Sequence, residues 1–262
     1  MNYKLIPLLL LTITQFSFSK IGQNELTAKI GIGTFEYGFN IKAPSIPTEF
    51  SASSEASGTA VDISGNLNLF VSEEEDFGVD ITASYLTASG DDSVIDSSGD
   101  PFKADADFSV LNVSLRPYYN AGPLDLFVDV GLQTTEFDIG VNSDGTNFPS
   151  VKGENSDLYY GFGMEADVSP SLSFSPSISF FKAVAPSVDL SSASPGTVAT
   201  FAKVDGATIS LPVSYAFDDD FDISLSYELI KTDDSVSELG PNDTLTVNTK
   251  AHVWLIGASY KF

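Results

Sequence analysis

The sequence predicts an all-β chain that closes as one antiparallel, up-and-down β-barrel across a membrane. It is expected to have about ten strands, with eight or twelve as the alternatives. Three observations lead there. Apolar and polar residues alternate with a period close to two along most of the chain, and helical spacing is scarce. Short connections alternate strictly with long polar ones, as expected for tight turns on one side of a bilayer and longer loops on the other. Aromatic residues collect in two bands at opposite ends of the apolar face, where a bilayer has its two interfaces.

The first strand spans Leu26 to Ile41. Its parity is lost after Gly33, where Phe35, Tyr37 and Phe39 take over, which reads as a bulge or a rise above the membrane. In the second, Val61, Ile63, Leu67 and Val71 alternate with Asp62, Ser64, Asn66 and Asn68. The third sets Phe77, Val79, Ile81 and Tyr85 against Asp80, Thr82 and Ser84, and the fourth sets Leu111, Val113 and Leu115 against Asn112, Ser114 and Arg116. Leu124 to Leu132 alternate with Asp125, Asp129 and Gln133, and Leu158 to Val168 with Gly161, Gly163 and Glu165. The seventh strand places Leu172, Phe174, Ile178 and Phe180 between four serines, Ser173, Ser175, Ser177 and Ser179. Ile209 to Phe217, Phe221 to Leu229 and the final segment from Thr246 to Phe262 complete the ten; the eighth strand begins anywhere from Val198 to Thr208. Pro117 and Pro176 fall inside strand patterns and each removes a ladder donor.

The long polar segments lie near 42–59, 88–106, 140–156, 186–200 and 231–245, and the short links at 72–76, 120–123, 169–171 and 218–220. With the apolar parity facing lipid, the turn side collects Phe77, Tyr119, Phe217, Phe221 and Phe262. The loop side collects Tyr85, Tyr160, Phe180 and Tyr227.

The two ends of the chain assign a compartment. Residues 1–19 combine a cationic start, a short apolar core from Leu5 to Ile13, and the small residues Ser17 and Ser19, which is the make-up of a secretory signal peptide cleaved after Ser19. The barrel domain is then 20–262. The last residues carry Gly257, Tyr260 and the terminal Phe262. This Gly-x-x-aromatic-x-aromatic ending resembles the sorting signal of bacterial outer-membrane β-barrel proteins, although that family has a polar residue where Leu255 stands. The resemblance implies that the last strand is read by the barrel assembly machinery and closes against the first. It also implies residence in a bacterial outer membrane, with lipid as the surrounding partner.

The chain has no cysteine, so an exported fold must be stabilised by means other than disulfides, such as closure of a large sheet. A net charge of −24 argues against nucleic acid as a partner and reads as acid-rich, solvated loops or as a preference for cations at the mouths. Inward positions carry Asp62, Asp80, Asp129, Glu165 and Glu228 against Lys29 and Arg116, the one arginine in the chain. A buried charge needs a partner, so Arg116 is expected among carboxylates, with Asp129 and Glu165 foremost. This set is either a plug of ion pairs or a lining for small cationic solutes.

No enzymatic site, metal or cofactor is predicted. The single histidine, His252, lies between Ala251 and Val253, unlike the Asp-His pair of omptin proteases, and Trp254 stands where outer-membrane lipid A deacylases place a serine. Its parity with Phe262 puts it outward near the loop-side interface. The aspartates of the second and third loops match no calcium-loop spacing. The sequence therefore points to a monomeric, small porin-like passive channel with cation preference, or to a structural membrane protein. An adhesin or receptor acting through five external loops is the alternative; a hydrolase lacks a nucleophile–base pair.

Overall fold

Inside hydrocarbon no water can bond a free backbone amide, so a sheet that crosses a bilayer must leave no edge. In the computed structural model this chain meets that demand. The structure describes residues 24–42, 50–72, 76–95, 101–143, 146–183, 187–189, 198–200, 204–232, 235–240 and 243–262. The expected signal peptide, 1–19, lies outside them.

The strands are β1 (Glu25–Lys42), β2 (Phe50–Val71), β3 (Phe77–Ile95), β4 (Pro101–Asn120), β5 (Leu124–Ser143), β6 (Thr146–Ser169), β7 (Leu172–Phe174), β8 (Ser177–Ala183), β9 (Ser187–Asp189), β10 (Val198–Thr200), β11 (Val204–Ala216), β12 (Phe221–Thr232), β13 (Ser235–Gly240) and β14 (Asp243–Lys261). They form ten antiparallel staves, because β7 and β8 share one and the short β9, β10 and β13 only add to the loop-side ends. β14 pairs with β1 from Glu25↔Lys261 to Lys42↔Thr244, which closes the barrel.

Parity follows the sequence. Leu132 and Leu158 are each 61% exposed and Ile256 58%, an apolar wall that only lipid can cover, while Asp80, Asp129 and Ser226 are buried inside. Tyr119, Phe217 and Phe262 stay exposed at the turn end and Tyr160 and Trp254 toward the loop end, as two girdles require.

One expectation changes, and two that were left open are decided. The segments read as long loops are largely strand: β2 begins at Phe50, β3 reaches Ile95, β4 starts at Pro101, and β5 and β6 nearly meet at Ser143 and Thr146. Above the bilayer lipid no longer selects one apolar face, so these strands lack the alternation that would reveal them. The first strand has no bulge, since its register with β14 and β2 is continuous; its altered pattern belongs to a stretch that rises past Trp254. β11 begins at Val204.

Pro176 does break its stave, between β7 and β8, where its carbonyl accepts from Met164 N (3.1 Å) and Ser175 N donates to the Pro212 carbonyl (3.0 Å). Pro117 leaves a gap between Leu115↔Val130 and Tyr118↔Phe127 without shifting the register.

Inward glycines let neighbouring groups close over the wall. Tyr118 lies over Gly78, Phe127 over Gly163 and Phe181 over Gly206. At the closing seam a Cβ on Gly31 would run into the Trp254 carbonyl. Gly31→Val should therefore destabilise the barrel by up to about 3 kcal/mol through overpacking, whereas Ala28→Val on the outward face of the same strand should be tolerated. Heat-dependent migration of the refolded protein on denaturing gels checks this: Gly31→Val is expected to lose the fast-migrating folded band at a lower temperature.

Candidate functional site

The interior is built in two tiers. The turn-side tier is polar because small hydroxyl residues alternate inward on β7, β8, β11 and β12, leaving space. A cavity of about 260 Å³ is lined there by Ser173, Ser175, Ser177, Ser210 and Ser214 on one side and by Asn66, Thr82, Ser84 and Asn112 on the other. Asn66 Oδ1, Asn112 Oδ1 and Ser224 Oγ are buried on this wall without a hydrogen-bond partner among the described residues, so the space suits water or a polar solute.

The expected charges all face inward in this tier or at its boundary. Arg116 makes a bidentate pair with Asp129, Nε–Oδ1 2.8 Å and Nη2–Oδ2 3.0 Å, and lies 4.2 Å from the centre of the Phe127 ring. Asp129 also accepts from Ser114 Oγ at 3.2 Å, and Ser114 shares a 2.6 Å hydrogen bond with Thr82. Of the two carboxylates expected beside Arg116, Asp129 is the one that holds it; Glu165 lines the same cavity. Lys29 pairs with Asp62 at 3.0 Å, and Glu228 interacts electrostatically with both. Asp80 is wholly buried and accepts from Asn66 Nδ2 (3.0 Å) and Asn68 Nδ2 (2.8 Å). Near the turn-side mouth Lys261 pairs with Asp222 at 2.7 Å, a contact the sequence reading did not single out.

The loop-side tier is apolar. One inward rung above Lys29 and Asp62 stand Gly31 and Ala60, followed around the wall by Ala88, Leu86, Val110, Phe181, Ile230, Ala251, Val253 and Leu255. They form one buried cluster, with Phe108 packed against it; Ala60, Val253 and Leu255 have no exposure to water at all. Side chains from β2, β3, β4, β8, β12 and β14 thus meet across the lumen. This departs from a continuous polar lining. The cause is on β14, where residues 251–256 are apolar on both faces, so one face greases the lumen while the other meets lipid.

His252 is on the outward face, as its parity with Phe262 requires, and is half-buried in a network the sequence did not reveal. Its Nδ1 lies 2.6 Å from the Tyr227 hydroxyl and its Nε2 3.5 Å from Glu36 Oε1, which also takes Lys250 Nζ at 3.0 Å. Tyr227 packs on Trp254 with centroids 4.7 Å apart. Glu36 and His252 are joined only by closure of β1 on β14, so no local pattern could have paired them.

Residues 5–183 match the family described as outer membrane protein β-barrel domain. The chain belongs to that family. Its place in the outer membrane follows, in agreement with the lipid-facing wall. Among solved structures it is similar to the outer membrane protease OmpT of Escherichia coli, with a TM-score of 0.65, 11% identity, and 94% of this chain covering 98% of that one. It is also similar to the transport unit of the autotransporter AIDA-I of Escherichia coli, at a TM-score of 0.54 and 13% identity over 92% of this chain and 91% of that one. At such identities the likeness is one of fold. No curated protein sequence matches this chain.

In this outer-membrane barrel Asp129, at 3% exposure, is the least exposed carboxylate of the ion pairs described above, and it holds Arg116 with two hydrogen bonds. Asp129→Asn leaves a guanidinium without its counter-charge and should lower stability by on the order of 3 kcal/mol, while Arg116→Met with Asp129→Leu should lose much less. Urea-dependent folding into detergent micelles, followed by Trp254 fluorescence, measures both.

Proposed function

We propose that this protein is a closed, non-conducting outer-membrane barrel, a structural scaffold that acts at its loop-side end and lipid-facing surface, not through its lumen. The observation that carries this reading is the apolar tier: Val253, Leu255, Phe181 and Val110 belong to one buried cluster above the polar cavity. An ion crossing it would shed much of its hydration, and the inward carboxylates nearest to it, Glu228 beside Val253 and Asp62 beside Leu86, are already engaged with Lys29. The charges below are paired with one another, which suits a lumen filled for stability.

The same reading takes the chain to be a monomer without catalytic activity. It is exported by cleavage after Ser19 and recognised by the assembly machinery through Gly257, Tyr260 and Phe262. The last of these features is supported by the position of β14 at the closing seam, with Tyr260 and Phe262 in edge-to-face contact at 4.5 Å at its outward base. The strands that continue past the lipid-facing band supply a loop-side surface for contact with other molecules or cells.

The second reading, a passive pore with cation preference, is favoured by the polar cavity and by the inward carboxylates Asp62, Asp129, Glu165 and Glu228. Planar-bilayer recording of residues 20–262 separates the two. The native barrel is expected to be silent, and the variant Phe181→Ala with Leu255→Ser to show small cation-selective steps. Steady cation-selective steps from the native protein would overturn the closed-barrel reading.

A further inference from the structure

The chain carries 12 lysines and arginines against 36 acidic residues, yet two of its lysines face each other on the wall that meets lipid. Lys250 of β14 is the register partner of Lys231 of β12, and both side chains share the outward parity of Trp254 and Tyr227. Like charges directly opposite in a sheet repel, and a lone cation near hydrocarbon is costly. Glu36 relieves only part of this: its Oε1 is engaged by Lys250 and approached by His252, while Lys231 is exposed and has no partner among the described residues. The outward row runs Lys231, Lys250, Glu36 and then Glu55, the register partner of Glu36, so positive charge gathers at its β12–β14 end on a strongly acidic protein.

The height of the pair matters. Lys250 lies twelve positions along β14 from Phe262, about 30 Å up a strand tilted as barrel strands are. That is just above an apolar band about 25 Å tall, at the depth of headgroup phosphates. Two outward rungs below, past Leu229 and His252, are Tyr227 and Trp254, amphipathic rings suited to this interface, with Ile32 beside Trp254 and Ile256 one rung further down, 66% and 58% exposed. A cationic notch above aromatic rings and a smooth apolar wall has the chemistry of an acylated molecule with a phosphate head.

We propose that Lys231 and Lys250 clamp the phosphate of a lipid headgroup in the loop-side leaflet, with its acyl chain lying over Trp254 and Ile256. On one flank Glu36, which also meets His252, competes with the phosphate for Lys250, and Lys231 supplies the open flank through which the phosphate enters. The site is independent of whether the lumen conducts, since it lies wholly on the outer wall.

The chain has one tryptophan, and it lies at the site. In neutral-detergent micelles, phosphatidic acid with brominated acyl chains should therefore quench Trp254 more strongly than brominated diacylglycerol with the same chains. Lys231→Gln and Lys250→Gln should each weaken the phosphatidic acid titration roughly fivefold, and the pair about thirtyfold. Glu36→Gln, which removes the competing carboxylate, should tighten it, an effect that a merely structural role would not produce. Excess inorganic phosphate should compete poorly, because it lacks the chain. Equal quenching by the two lipids, or an unchanged titration in the double lysine variant with its folded gel band intact, overturns the proposal. Ready displacement by inorganic phosphate overturns the assignment to a lipid.

Discussion

Closure of β14 on β1 is the constraint on which everything else in this molecule rests. Eighteen consecutive register pairs, from Glu25 to Lys42, leave neither strand with an open edge. Without that seam the remaining staves would present unpaired amides to hydrocarbon, a penalty that side chains cannot offset. The seam also creates both groups of functional interest. It brings Gly31 under Leu255, so the apolar tier can fill the lumen from β14, and it brings Glu36 to Lys250 and His252 on the opposite face. Glycine on β1 and bulk on β14 are two halves of one joint.

The interior shows how polar and apolar packing divide the work of filling a narrow barrel. In the turn-side half, serines and asparagines keep space open and the ionic groups occur as pairs: Lys29 with Asp62, Arg116 with Asp129, Lys261 with Asp222. In the loop-side half the same inward positions hold Leu, Val, Ile and Phe. Buried ion pairs add little net stability, because desolvation offsets much of their attraction, so the apolar tier is the better source of cohesion. A barrel that mainly needed permeability would not place its most water-free cluster across the route.

Much of this was legible in the sequence because lipid enforces it. A side chain on the wrong parity is exposed to hydrocarbon or buried in the lumen, so alternation survives in every membrane-level strand, and with it the inward set from Lys29 to Glu228. Arg116 could be paired in advance because a lone buried guanidinium must find a carboxylate; Asp129 was the nearer of the two foreseen. The apolar tier was not legible, because Val253 and Leu255 alternate with His252, Trp254 and Ile256, and a run that is apolar on both faces shows no parity. The strands beyond the bilayer were read as loops for the complementary reason, since no apolar solvent selects one face there. The Glu36–His252 contact joins residues far apart in the chain, which no periodicity encodes.

The unbroken pairing of β1 with β14 has a consequence for how such a surface can change over time. The ladder works like a reading frame of two: each residue above the membrane inherits its inward or outward direction from the lipid-selected residues below it. Exchanging one residue for another in the upper part alters what is displayed without altering which positions display it. Adding or removing a single residue within the strand instead inverts every side chain beyond that point. Diversity in length is thereby channelled to the hairpin tips, and diversity in chemistry to the strands that lead up to them.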